Sequence, residues 1–501
     1  MIQTLLLFTL VFSISLYGEE SPVEKKDSPR FQEVAKTDHS MQISGKELAF
    51  EAICGSFRIS ELNEKESASL FFTAYLKKNS PKEQTPRPIC FCFNGGPGSS
   101  SIWLHMAFGP KRPIIHSPGY TKPPSTYENN PCSLLAEADL VFIDPVSTGY
   151  SKVCDGSSAK HFHGIEEDVD SFADFIRLFL TKFERWQSPK FLMGESYGTI
   201  RAVGLAEKLH ASHFIDLNGI ILISMCLDFQ AYDFGNGNDL PHVLVLPSYA
   251  STAWYHKKLK PEFQQMSLQE LLSQVEKFAI NEYASALLLG NRLSEKEKNA
   301  VLEKLSDYTS LDKSYLNACS LRIVTGAFFK ELFRKDHKIV GRFDSRYVGV
   351  EQYPLEEMSH TDPSFDAIVG PFTSSFHQYL ARELKVCDLA PYRVLNSETV
   401  FPWNFSINRL PAGLGYVYMS GKLSSAMEKN PSLKIFIANG YYDLATPYFA
   451  ADHTMCHLML TPELFKNVTC RYYHSGHMIY LDPTSHQKMK QDLHSFFSDP
   501  R

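Results

Sequence analysis

From Phe191 to His210 the sequence passes from a short apolar strand pattern, Phe191-Leu192-Met193, through Gly194-Glu195-Ser196-Tyr197-Gly198 into a helical pattern that starts at Thr199. A strand that turns straight into a helix around a serine flanked by two glycines is a demanding geometry. The turn lifts the serine above the strand end, and a side chain at either glycine would meet neighbouring backbone. The letters G-x-S-x-G alone are a weak signal; their position between strand and helix carries the weight.

The rest of the chain repeats that strand and helix rhythm. Three β-like runs begin near Met41, Ala52 and Ser69, and Pro88 to Phe93 is a nearly continuous apolar strand that ends at Asn94-Gly95-Gly96-Pro97-Gly98. Ala138 to Ile143, Ile220 to Ile223, Leu433 to Ala438 and Val468 to Tyr473 are further apolar runs. Unbroken apolar strands suit a sheet covered on both faces. Ile165, Val169, Phe172, Phe175, Ile176, Phe179 and Phe183 fall at helical spacing and form a stripe fit to cover one of those faces. The expected fold class is therefore α/β, with a central, mostly parallel sheet flanked by helices. Between Asp228 and Asn396 the alternation gives way to helical runs such as Leu268 to Phe278 and Ser294 to Leu305. The expected organisation is a sheet core over 41–227, a helical cap insertion over 228–396 and the rest of the core over 397–501.

Composition narrows the partners. Hydrophobic residues make up 44% of the 501, which excludes a disordered chain, and 50 Lys plus Arg against 56 Asp plus Glu, with no dense basic stretch, argue against electrostatic capture of nucleic acid. The apolar run Leu5 to Leu16 is too short to span a bilayer and suits a secretory signal over residues 1–18, so export to a periplasm or the exterior is expected. Residues 19–40, rich in Lys, Glu, Pro and Ser, read as a flexible linker. The ten cysteines permit disulfides without demanding them; Cys90 and Cys92 point to one face of a strand, as buried thiols or a bridge. No C-x-x-C and no H-E-x-x-H occurs, so no metal or organic cofactor is expected.

A nucleophilic serine needs a base, and the base needs an orienting carboxylate; α/β-hydrolases place them in the chain order Ser, Asp, His. Asp443 and His477 follow Ser196 in that order, each just beyond an apolar strand. There Asp443 would hold the imidazole tautomer and His477 would take the Ser196 proton. Asp452 competes as the acid, but it follows a helical stretch. Asn94 to Ser100 ends a strand where such folds place an oxyanion loop, and glycine there lets backbone N–H groups approach the developing charge. Glu195, beside the nucleophile, would oppose an anion unless protonated.

Together, Asn94-Gly95-Gly96-Pro97-Gly98-Ser99-Ser100, Gly194 to Gly198, Asn439 to Asp443 and Gly476-His477-Met478 resemble the serine carboxypeptidase family of α/β-hydrolases. The resemblance implies Ser196, Asp443 and His477 as the triad and the N–H groups of Gly96 and Tyr197 as the oxyanion hole. It also implies that Asn94, the Gly95 N–H and Glu195 bind the free C-terminal carboxylate of a peptide, which makes the enzyme an exopeptidase without a cofactor. Three departures stand out. Ser99 replaces a disulfide-forming cysteine, Tyr441 replaces the first Asp of a G-D-x-D pattern, and the segment from Trp103 to Pro110 lacks the acid that normally shares a proton with the counterpart of Glu195. His105 in that segment either packs in the interior or supplies a cation in the acid's place, and the departure resembles a bacterial branch of the family. An esterase or acyltransferase using the same triad is the competing reading, and a non-catalytic binding module on the same scaffold is the third.

Overall fold

The computed structural model describes residues 30–43, 45–60, 66–78, 86–353, 355–359, 361–387, 390–407 and 415–498. The expected signal segment, 1–18, lies outside them. Strands β1 (Phe31–Ile43), β2 (Lys46–Ser60), β3 (Ser67–Lys77), β4 (Ile89–Phe93), β5 (Asp139–Ile143), β6 (Lys190–Glu195), β7 (Gly219–Ile223), β8 (Lys434–Gly440) and β9 (Val468–Tyr473) form one sheet in the order β1-β2-β3-β5-β4-β6-β7-β8-β9, with a short tenth strand, Lys152–Val153, beside β3. The first three strands run antiparallel, and from β5 to β9 every neighbouring pair is parallel. This is the α/β-hydrolase fold.

Alternation along the strands divides two cores. Phe91, Phe93, Leu222 and Ile437 face one side, where they meet helices α2 (Ile165–Lys182) and α3 (Tyr197–His213). Cys90, Cys92, Ile221 and Phe436 face the other, against α1 (Ile102–Phe108) and the helices Pro363–Arg382 and Pro483–Ser498. Every residue of β4, β5 and β7 is consequently buried, which is why these strands read as unbroken apolar runs. The α2 stripe packs as expected: Phe175 lies edge-on to Phe57 and to Phe72, with ring centroids 5.5 Å apart in both pairs. All ten cysteines are free thiols, Cys90 and Cys92 among them with sulfurs 3.7 Å apart.

Two expected boundaries move. The segment 19–40 is not a linker throughout, because Phe31 onward is the edge strand β1, paired antiparallel with β2 from Phe31 opposite Phe57 to Ile43 opposite Lys46. Its side chains are mostly half-buried or exposed, so backbone pairing rather than apolar burial holds it, and its polar composition hid it. The insertion after Asp228 is mainly helical, with its own hydrophobic cluster running from Val243 to Val340, but it also contains the hairpin Lys338–Val340 and Val348–Val350. The helix Pro363–Arg382, expected in the cap, instead buries Ile368, Phe372, Phe376 and Tyr379 on the sheet.

Candidate active site

The parallel strands end level with one another. Phe93 pairs with Gly194, Glu195 with Ile223 and Ile223 with Ala438, so the residues that follow these strands gather at one edge of the sheet. Ser196 stands there between β6 and α3 with φ 59° and ψ −127°, a strained conformation for any residue but glycine. The flanking glycines explain how the turn closes. A Cβ at Gly194 would fall 2.1 Å from the Gly198 carbonyl oxygen, and one at Gly198 would fall 2.8 Å from that of Phe93. The loop after β4 lies directly on this turn, since a Cβ at Gly95 would fall 2.5 Å from the Tyr197 nitrogen. Gly96 adopts φ +110°, and among the described residues neither its N–H nor that of Tyr197, the first of α3, donates to the protein.

The loops after β8 and β9 interlock. A Cβ at Gly440 would fall 2.2 Å from the Gly476 carbonyl oxygen, and the Tyr442 N–H donates to the Ser475 carbonyl at 3.1 Å. His477 is held on both backbone sides: its N–H donates to the Phe343 carbonyl at 2.6 Å, and its carbonyl accepts from Ser224 Oγ at 2.6 Å. Its Nδ1 donates to Asp443 Oδ2 at 2.8 Å. The fully buried Asp443 also accepts from the N–H groups of Ala445 and Thr446, at 2.8 and 2.9 Å, and from Thr446 Oγ1 at 2.7 Å. Burial favours the neutral imidazole, but the Asp443 charge and hydrogen bond, with Glu195 adding, outweigh it and raise the His477 pKa. Asp452, the competing acid, accepts instead from the Tyr472 hydroxyl.

Glu195 is buried against the same turn. Its Oε1 accepts from Asn94 Nδ2 at 3.0 Å, and Asn94 Oδ1 in turn accepts from the Leu104 N–H at 3.1 Å. Its Oε2 is buried beside the Tyr480 hydroxyl, whose interaction with the carboxylate opposes the rise of the Glu195 pKa and adds to that of Tyr480. Burial is the main cause that pushes Glu195 up to about 7, opposed by the nearby His477. No second carboxylate is needed for that rise. Behind the site the buried Arg201 anchors Asn94, donating Nη1 to its carbonyl at 2.6 Å and Nε to Asp168 at 2.8 Å.

Asn94, Gly95, Gly96, Glu195, Ser196 and His477 line one cavity of about 340 Å³. No hydrogen bond joins Ser196 to His477 among the described residues; such bonds are commonly long in unliganded hydrolases and tighten on the substrate. His105 does not reach this cavity. It faces the sheet interior, with Nε2 2.6 Å from the Tyr75 hydroxyl and its ring stacked on Phe142 at 4.5 Å. Burial pushes its pKa down to about 3, so it carries no cation for a substrate carboxylate. The cavity also takes Arg342, Phe343, Asp362 and Phe365, which lie within the 228–396 insertion and which no local motif marks. Thr446 is a further miss, three residues beyond Asp443.

A family model described as serine carboxypeptidase matches residues 45–360 of the chain. The chain belongs to that family. The matched span holds Asn94, Glu195 and Ser196 and ends before His477, which lines the Ser196 cavity, and Asp443, which is hydrogen-bonded to His477. Among curated relatives, serine carboxypeptidase S10 family member 2 of Dictyostelium discoideum is 26% identical over 268 residues, covering 52% of this chain and 44% of the relative. Carboxypeptidase sxa2 of Schizosaccharomyces pombe is 29% identical over 194 residues, covering 36% of each. The chain spans less than half the length of the curated relatives it matches. Among solved structures, Kex1(Δ)p, a prohormone-processing carboxypeptidase from Saccharomyces cerevisiae, aligns over 89% of this chain and 91% of its own, with a TM-score of 0.49 and 17% identity.

Proposed function

We propose that this serine carboxypeptidase family member releases C-terminal amino acids from peptides through an acyl-enzyme. The observation that carries the reading is the joining of Asn94 and Glu195, a pair suited to a carboxylate, to the cavity that holds Ser196 and His477. His477, oriented by Asp443, takes the proton of Ser196 as its Oγ attacks the last peptide carbonyl. The N–H groups of Gly96 and Tyr197 receive the developing oxyanion, an arrangement in which losing one donor costs roughly 10²- to 10³-fold in rate. His477 then passes its proton to the departing amino acid, and water attacks the acyl-enzyme by the same route. Glu195, neutral below about pH 7, donates its proton in a hydrogen bond to the substrate's terminal carboxylate alongside Asn94 and the Gly95 N–H.

The helical segment after Asp228 acts in this reading as a lid over the cavity. Export is part of the proposal and is supported by the Leu5 to Leu16 run; no described helix is long and apolar enough to cross a membrane. A bacterial branch rests on the missing acid alone, while the matched relatives named above are eukaryotic. Turnover of one peptide with a free and with an amidated C-terminus tests the function. A carboxypeptidase loses most of its activity on the amide; equal rates would favour the esterase or acyltransferase reading.

A further inference from the structure

Arg342 lines the cavity of Ser196 and His477, and its exposed guanidinium makes no ion pair or hydrogen bond with the described residues. Its backbone, by contrast, is fixed. The Arg342 N–H donates to Asp362 Oδ1 at 3.0 Å, its carbonyl accepts from the Leu444 N–H at 3.1 Å, and the next carbonyl, that of Phe343, is the one that holds His477. The Phe343 ring supports the guanidinium at 5.1 Å. The loops of Asp443 and His477 thus hold the base of a side chain whose charged end makes no ion pair with the described residues and, through space, opposes the rise of the His477 pKa. Nearby acids are otherwise engaged: Asp362 accepts from the N–H groups of Arg342, Phe343 and Ser364, and Glu195 is held by Asn94.

A second cavity, of about 320 Å³, continues beyond Arg342 and is lined by Tyr232, Phe234, Phe329 and Leu444. Arg342 belongs to both cavities, whereas Asn94, Gly95 and Glu195 line only the first. The room that extends past Arg342 therefore lies away from the Asn94 and Glu195 pair, and we infer that it takes the acyl part of a peptide whose terminal carboxylate rests on that pair.

We propose that Arg342 selects peptides carrying a carboxylate side chain on the acyl side of the scissile bond. This rests on the carboxypeptidase reading above. The test compares blocked dipeptides that differ only as Glu against Gln, once at the acyl position with Leu leaving and once at the leaving position with Leu as the acyl residue. The wild type should favour Glu over Gln at the acyl position by about 5-fold in kcat/KM, the scale of a solvent-accessible ion pair. R342Q should bring that ratio to about 1, and R342K should keep part of it. An unchanged ratio in R342Q, or a preference confined to the leaving position, overturns the proposal. The same peptides, read as protection of Ser196 from a fluorophosphonate, give the Glu-to-Gln binding ratio without turnover. Absence of peptide cleavage would therefore refute the carboxypeptidase reading, while the protection ratio still decides Arg342.

Discussion

His477 Nδ1 sits 2.8 Å from Asp443 Oδ2, and Thr446 Oγ1 donates to that same oxygen. The carboxylate therefore fixes which imidazole nitrogen carries the proton and leaves Nε2 free to act as a base. Asp443→Asn preserves the shape but stabilises the wrong tautomer, and kcat should fall by about 10⁴-fold with little change in melting temperature. A fall below tenfold in single-turnover measurements would remove Asp443 from this role.

Glu195 should govern a pH dependence specific to free C-termini. Its pKa is pushed up to about 7 by burial, so it donates to a carboxylate below that pH and repels one above it. KM for a free-carboxyl peptide should rise above pH 7 in the wild type, whereas Glu195→Gln should show a flat KM through that range. The same shift has a stability sign. The unfolded carboxyl ionises near its ordinary 4.5 and the folded one near 7, so stability is lost as pH rises between the two. Chemical denaturation should find Glu195→Gln more stable than the wild type at pH 8, by on the order of 3 kcal/mol, and no such gain at pH 4.

Much of the sheet, and the gathering of Asn94, Ser196 and His477 at its edge, was readable from local pattern because unbroken apolar strands, glycine turns and strand-end polar residues are signals carried within a few positions. Phe31 to Ser40 was hidden because an edge strand can be held by backbone bonds alone, so its polar side chains mimicked a linker. Arg342 and Phe343 were hidden for a different reason. They line the Ser196 cavity only because their backbone carbonyls bond to the Leu444 and His477 N–H groups, a tertiary contact with no sequence period. For His105 the sequence left packing and a cation role open, and the helix α1 that carries it is buried on every side, which favours packing.

His105 should behave as a core residue. His105→Ala removes the ring stacked on Phe142 and strands the Tyr75 hydroxyl, which the Tyr379 hydroxyl alone then contacts. A loss of about 2–4 kcal/mol in urea unfolding is expected, with no change in the pH profile of kcat/KM. An altered preference for free over amidated C-termini would restore the cation role.

The Ser196 turn tolerates no side chain at its glycines. Gly194→Ala places a methyl 2.1 Å from the Gly198 carbonyl oxygen, a backbone clash that nothing flexible can relieve. Fluorophosphonate labelling of Ser196 should be lost, with a destabilisation of several kcal/mol. Labelling at the wild-type rate would show that the turn is looser than its geometry implies.

The most direct measurement is mass spectrometry of a peptide mixture incubated with the wild type and with Ser196→Ala. The account predicts ladders that shorten stepwise from the C-terminus, sparing amidated peptides and vanishing in Ser196→Ala. Internal cleavage, or ladders that persist without Ser196, would contradict it.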